Sequence, residues 1–422
     1  KLSQIANIIG HATEIAMVST PGSAKMRMLP MDVWDLLTRA GIVLQNEDLR
    51  PWLPLNHHGQ GLQSLSIIFL YEAVVQQQLS ESQFEGAEPI FAIEEPEVHL
   101  HPQAVRTLWT KISSLSGQKL ITTHSPYFVQ NVPLSNLRLV CFRNGSTELY
   151  SLPRNIVSQL PWTNEIEKLV KGKRWTQFTK DLLTGNIIST ECFNEAVETE
   201  LLNCWISDPL AATFKLKLET FRHSCRILMS ANDESELAFL GKRIRGEIFF
   251  ANRWIMVEGP SEYLLLKALG QVYGYDLDQH GVSLIDFQNN GNAGVYPALA
   301  EAFHIPWYMI TDGDSESEKF KNQLKKRGFN NTDLTGHFET LPSPNSLEDQ
   351  LIADGHEKLL RDIIKETSGS RIAALPIEEF KRCLKNRKTT YMNCLVQRII
   401  ADITLAAKMP SVFVTLIDNL KK

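Results

Sequence analysis

Four acidic residues stand where two apolar runs end, and their types and spacing suit a hard divalent cation. Trp254-Ile-Met-Val-Glu258-Gly-Pro-Ser-Glu262 reads as a buried strand that ends at Glu258, turns at Gly259 and enters a helix with Pro260 at its first position. Glu262 then falls in the first helical turn, able to approach Glu258; stabilisation of the helix dipole is the bland reading of that residue. Trp307-Tyr-Met-Ile-Thr-Asp312-Gly-Asp314 is a second such strand, and the glycine between its aspartates lets both turn toward one ion. Alone, Asp-Gly-Asp is commonly a turn. Carboxylates gathered this way repel one another unless cations neutralise them. Oxygen ligands select Mg2+ or Mn2+ over zinc, and two such ions can activate water and stabilise the leaving oxygen of a phosphodiester. In that chemistry Glu258 is a ligand or the general base, and Asp312 and Asp314 hold metal. Glu262 serves the second ion or its surroundings, and Ser315 adds a hydroxyl ligand.

A second set of residues suits nucleotide chemistry. In Pro89-Ile-Phe-Ala-Ile-Glu-Glu-Pro-Glu-Val-His-Leu-His-Pro102 an apolar run, expected to be a buried parallel strand, delivers Glu94 and Glu95 to its C-terminal edge. ATP hydrolysis needs one carboxylate on Mg2+ and another on the attacking water, and successive strand residues face opposite ways. An exposed acidic turn after a core strand is the bland alternative. Upstream, His58-Gly-Gln-Gly-Leu-Gln63 opens an apolar helical run to about Gln78; Gly59 and Gly61 allow close backbone approach, and a helix N-terminus favours phosphate. Downstream, the strand Lys119–Thr123 ends at His124.

These residues need strands to hold them and helices to cover those strands. With 422 residues, two or three domains are expected. Hydrophobic content of 43% and charged content of 22% are those of a soluble globular chain, with no run of membrane-spanning length and no secretion signal. Six cysteines without CxxC spacing argue for reduced thiols in a cytoplasmic protein and against a zinc site. The formal charge of −5 gives no global sign of nucleic-acid binding, which depends on local potential.

Along the chain a helix is expected over Leu2–Ile15, a break at Pro21–Ala24 and an amphipathic segment over Met31–Arg39. A β-α-β alternation runs to about Pro153, with a helix starting at Pro102. Residues 154–249 carry helix-like periodicity and no chemical motif. Strands return at Trp254–Val257, Val282–Phe287 and Trp307–Thr311, giving α/β architecture with its site at the strand C-termini. Beyond Pro342 the chain is mainly helical. The cluster Lys319, Lys321, Lys325, Lys326 and Arg327 reads equally as a track for a DNA backbone or as an exposed helix face.

The Glu94–Glu95 strand with Pro-Glu and Leu-His-Pro after it resembles the Walker B and D-loop region of ABC-type ATPases of the OLD (overcoming lysogenization defect), RecF and Rad50 kind. His58–Gln63 resembles their signature loop, which in that family contacts the opposite protomer's nucleotide and so implies a dimer. Ile121-Thr-Thr-His-Ser-Pro126 resembles the switch strand, with His124 near the γ-phosphate. The acidic strands around Glu258, Asp286 and Asp312 resemble a Toprim fold. Their order after an ATPase segment resembles OLD-family nucleases, Gabija-type subunits included. That resemblance extends to Asn345-Ser-Leu-Glu348, where Glu348 would add an acid, and to Lys385-Asn-Arg-Lys388. There Lys388 would stabilise phosphate charge in the transition state, with the choice among Lys385, Arg387 and Lys388 open.

The resemblance implies the C-terminal part of an ABC-type ATPase domain over 1–153, a helical linker or dimerisation region over 154–249, and a Toprim nuclease domain with a helical extension over 250–422. It implies Mg2+ or Mn2+, ATP, DNA, a homodimer or higher oligomer, and a helicase-like partner, with no membrane role. The family's phosphate loop is a departure: no G-x-x-x-x-G-K-[ST] occurs in the sequence, so the chain is expected to be either a fragment or a natural homologue without the ATP-binding lobe, and in both cases to bind ATP poorly. An anti-phage DNA endonuclease or nickase uses both sets of residues. A RecF- or Rad50-like DNA-repair clamp would leave the Toprim acids idle. A topoisomerase or primase would need further machinery that the sequence does not display.

Overall fold

The strand Arg253–Val257 explains the architecture around it. Trp254, Ile255, Met256 and Val257 are all fully buried, so both faces of the strand must be covered. It lies inside a four-stranded sheet between Val282–Asp286 and Trp307–Thr311, with Phe338–Thr340 at the far edge beyond the latter; every pairing is parallel. Parallel neighbours need crossovers, and the helices Pro260–Val272, Val295–Ala302 and Ser315–Lys326 supply them. Beyond the sheet the chain is helical. The helices Glu357–Ser368, Ile377–Lys385, Lys388–Ala401 and Ser411–Leu420 join Pro260–Val272 in one apolar core that includes Leu265, Leu360, Phe380, Met392 and Phe413.

The computed structural model describes residues 23–27, 41–45, 51–79, 88–205, 209–236, 246–287, 293–342 and 344–421. The helix expected over Leu2–Ile15 and the segment Met31–Arg39 lie outside them. The chain divides into two units, Lys1–Val132 and Pro133–Lys422. This division falls upstream of the residue-153 boundary expected from the sequence, because the hairpin Leu139–Arg143/Ser146–Tyr150 stays with the second unit. There Tyr150 stacks on His304 with ring centroids 4.3 Å apart, and Arg143 donates to the His304 carbonyl at 3.0 Å.

In the first unit, Ile90–Glu94 pairs in parallel with Gln118–Thr122, and the helices Gln60–Leu79 and Pro102–Ser113 pack with them around Leu65, Leu108 and Ile112. The helix at Pro102 starts where its proline is expected. Burial of the strand on both faces does not hold, however. Ile90 is 71% exposed and Leu120 66%, since among the described residues only one face of this pair is covered.

The segment expected to be helical contains a sheet as well. Ile156–Pro161, Asn186–Ser189 and Phe178–Lys180 form an antiparallel sheet around which the helices Asn164–Lys171, Glu195–Asn203 and Ala211–Cys225 pack, enclosing Trp175, Phe178, Phe193, Trp205 and Phe221. Arginines tie this core to the Toprim side. Arg222, buried, pairs with Glu198 and donates to the Gly328 carbonyl; Arg226 pairs with Glu301. Arg327 pairs with Asp233 at 3.0 Å and donates to the Leu228 carbonyl at 2.9 Å. Arg327 is thus buried, contrary to its reading as part of an exposed basic face. No described helix is long and apolar enough to cross a membrane.

Candidate active site

The acidic residues collect at the C-terminal edge of the parallel sheet. Glu258 follows the strand Arg253–Val257, and Asp312 follows Trp307–Thr311 one position over. The backbone N–H of Asp312 donates to Glu258 Oε2 at 3.0 Å, which fixes the glutamate across the gap between strands. Asp312 Oδ1 in turn accepts from the backbone N–H of Leu347 at 3.0 Å, at the start of the helix Leu347–Leu351. Between the two aspartates, Gly313 is obligatory: a Cβ there would stand 2.5 Å from the Leu341 carbonyl oxygen and 2.6 Å from that of Pro342. Asp314 caps the helix Ser315–Lys326, accepting from the Glu316 N–H at 2.9 Å.

Pro260 occupies the first turn of its helix, and Glu262 two residues later is 3% exposed. Glu348, fully buried, enters from the helix Leu347–Leu351. Its Oε1 accepts from the Tyr391 hydroxyl at 2.9 Å. Burial and the adjacent Glu348 hold that hydroxyl well above the ordinary phenol range, so it remains a donor. Glu262 Oε2 and Glu348 Oε2 are buried without a hydrogen-bond partner among the described residues. Buried carboxylate oxygens are rarely left so, because the desolvation cost is uncompensated.

The electrostatics agree with the geometry. Burial, then Glu262, Glu258 and Glu348, push Asp312 up to about 8, against the pull of Lys388. Burial raises Glu262 to about 7, with Lys388 again opposing and Glu348 and Glu258 adding to the rise. Burial also raises Glu258, although the Asp312 N–H favours its charged form. Lys388 shows the converse. Burial pulls it down, but Glu348, Glu262, Asp312 and Glu258 outweigh that and move it up. Of the three bases left open by sequence, Lys388 is the one among the carboxylates, while Lys385 pairs with Asp349 at 3.1 Å.

A cation fits this donor set by chemistry. The four carboxylates whose charge acts on Lys388 all offer hard oxygens, and two of those oxygens lack partners among the described residues. No group of three His, Cys, Asp or Glu side chains among the described residues converges closely enough to hold an ion as it stands. Glu258 and Asp312 each accept one backbone N–H, which leaves each carboxylate a second oxygen. Ser315 is exposed, and no hydrogen bond among the described residues ties it to the acids.

The first unit holds its own cluster. Glu95, after the strand Ile90–Glu94, adopts φ 41°, a left-handed conformation that non-glycine residues seldom take outside constrained sites. Its carboxylate lies 3.4 Å from His124 Nε2, while Glu94 is exposed at the strand end. Glu97, which motif reading passed over, accepts from the Thr123 hydroxyl and from the His124 N–H at 3.2 Å. It therefore clamps the loop bearing His124 to the acidic turn; the twenty-six-residue separation gave sequence reading no cue. Gly61 packs into the same turn, with space for a Cβ closed off by the His99 carbonyl oxygen at 2.7 Å, whereas Gly59 is open. Gln63 donates to the His58 carbonyl at 2.6 Å and braces its own loop.

Comparison with known proteins gives both units a relationship. A family profile described as the Toprim domain of overcoming-lysogenization-defect-like proteins matches residues 249–314. An AAA ATPase domain profile matches residues 43–129. Among curated proteins, the endonuclease GajA of Bacillus cereus (strain HuB5-5) is 26% identical over 364 residues, covering 83% of this chain and 45% of that protein. The uncharacterized protein YbjD of Escherichia coli (strain K12) is 24% identical over 144 residues, covering 30% of this chain and 26% of that one. The chain thus spans less than half the length of either relative. Among solved structures, the C-terminal region of the Xanthomonas campestris pv. campestris OLD protein is 21% identical and covers 42% of this chain and 98% of that one. Its TM-score of 0.33 is too low to support any argument. Glu348 and Lys388 lie beyond the residues matched by the Toprim profile; Glu348 follows Leu347, which bonds Asp312, and Lys388 feels the charge of these acids. The chain carries an AAA ATPase segment followed by an OLD-like Toprim domain.

Proposed function

We propose that this chain is the nuclease-bearing part of a divalent-metal-dependent DNA endonuclease or nickase, controlled by its ATPase segment and used in defence against phage. In this reading, the first unit, to Val132, belongs to the ATPase head, the residues from there to 249 link or dimerise, and 250–422 cut DNA. The observation that carries the proposal is the hydrogen-bonded link from Glu258 through Asp312 to the helix that bears Glu348, at the C-terminal edge of the sheet, with the charge of these acids drawing Lys388 up. The similarity to a protein named as an endonuclease supports the same reading.

Glu258, Glu262, Asp312, Asp314 and Glu348 are the residues that would hold Mg2+ or Mn2+, with Ser315 in reach of the same edge. When bound, the ions would supply an activated water and neutralise the leaving oxygen. Lys388 brings a fixed positive charge to the scissile phosphate and stabilises the charge that builds there in the transition state. Tyr391 holds Glu348, and the Leu347 and Asp312 amides hold Asp312 and Glu258, so the acids stay in place before substrate arrives. In the first unit, Glu94 or Glu95 would serve Mg2+ and the attacking water of ATP, and His124 would sense the γ-phosphate. The His58–Gln63 loop would meet the nucleotide of a second copy.

Incubation of the chain with supercoiled plasmid and Mg2+ or Mn2+, with and without ATP, tests this. Conversion to nicked circles and then linear DNA, stopped by EDTA, is the expected result. Plasmid left intact under all of these conditions contradicts it.

A further inference from the structure

The helix Ser315–Lys326 begins at the acidic edge and ends beside a groove of about 460 Å³ whose lining includes Ala196 and Phe329 among polar side chains. Asn322, Lys325 and Lys326 line one side of it; Asn194 and Glu195, at the start of the helix Glu195–Asn203, line the other, with Asn330 at its end. The lysine-rich stretch resolves here into two kinds of cation. Lys319 pairs with Glu316, Lys321 with Glu318 at 3.3 Å, and Arg327 is buried on Asp233. Lys325 and Lys326 are exposed and have no ion pair among the described residues.

The asparagines add directional donors. Asn194 spends its side-chain oxygen on the Val197 N–H at 3.1 Å, and Asn330 spends its own on the Asp333 N–H at 2.8 Å. Each cap leaves its amide NH2 group, which can only donate. The lining therefore offers two ammonium groups and several N–H donors against the one carboxylate of Glu195. Lysines in a last helical turn also complement the helix dipole, but that does not account for the donors facing them from a different helix.

We propose that this groove binds the phosphodiester backbone of duplex DNA at a fixed distance from the cutting edge. The choice of DNA as the polyanion rests on the nuclease reading. Lys326 lies eleven residues along the helix from Ser315, about 16 Å at 1.5 Å per residue, or about five nucleotides along one strand. The groove thus positions the duplex while the acids act on a phosphate further along it.

Fluorescence anisotropy of a labelled 30-base-pair duplex, titrated with the whole chain in EDTA over a range of salt concentrations, is the test. Without metal no cleavage occurs, so binding is read separately from catalysis. The double variant Lys325→Ala/Lys326→Ala is expected to bind about tenfold more weakly at low salt. Its slope of log K against log salt should flatten by about 1.8, at about 0.9 for each phosphate that is no longer neutralised. The ion-paired control Lys319→Ala/Lys321→Ala should keep the wild-type slope. The proposal is overturned by an unchanged slope in the groove variant, by an equal loss in the control, or by no duplex binding in the wild-type chain. Failure of the nuclease reading looks different: plasmid stays intact with metal, yet the slope difference between the variants persists.

Discussion

Asp312→Asn lowers plasmid cleavage by about a thousandfold while leaving the chain folded and its assembly unchanged. The size follows from the position. Asp312 touches both ends of the acidic network, accepting from Leu347 and donating its N–H to Glu258. Losing one preorganised charged group at such a centre costs about a hundred- to a thousandfold in rate, and a shared metal ligand belongs at the upper end. The fold survives because asparagine keeps an oxygen for the Leu347 N–H. Burial and the neighbouring acids push metal-free Asp312 toward its neutral form, which asparagine resembles. Rates measured on supercoiled plasmid, beside circular dichroism and size-exclusion profiles, check it. Cleavage within tenfold of wild type would remove Asp312 from the site.

The second large effect is on stability. Arg222→Leu should cost about 3–5 kcal/mol, a large fraction of a typical domain's stability. Arg222 is 2% exposed, pairs with Glu198 and donates to the Gly328 carbonyl. Leucine fills the space but leaves a half-hidden carboxylate and a buried carbonyl without partners. The position is confined further by Gly328, whose φ of +98° excludes most other residues and whose missing Cβ would meet the Phe193 carbonyl oxygen at 2.9 Å. Replacing both partners, as Glu198→Leu/Arg222→Leu, should recover part of the loss because the orphaned charge is gone. Urea unfolding followed by tryptophan fluorescence reads this directly, since Trp175 and Trp205 lie in the same core. A shift below about 1 kcal/mol in the single variant would show that the buried pair does not hold the two subdomains together.

The candidate site was legible where its proposed chemistry is local. Glu258 and Asp312 each follow an apolar run and a turn, so a short window carries the whole signal. Pro260 and Pro102 mark helix starts for the same reason. Contacts between distant segments left no such trace. Tyr391 meets Glu348 across forty-three residues, and in sequence it is one aromatic on an amphipathic helix. Lys388 stands beside Lys385 and Arg387 in sequence, and only the fold separates it from Lys385, which pairs with Asp349, by exposing it to the charge of the acids. Arg222 carries no mark of burial, because its partners come from another helix and from a turn 106 residues away.

The same limit explains the misread elements. Three strands of six, four and three residues, joined through Ile187 and Phe178, are too short for a periodic signal to separate them from the helices around them. The run Pro89–Ile93 announces apolar side chains but not what covers them, and Ile90 remains 71% exposed.

The central claim is that the acids at the Toprim sheet edge form the cutting centre. Anomalous diffraction from crystals of the chain grown with Mn2+ tests it most directly. The expected result is a peak at this edge, where Glu258 and Asp312 would hold the ion together with Asp314, Glu262 or Glu348. A peak elsewhere, or none at this edge in protein that cleaves plasmid, would contradict it.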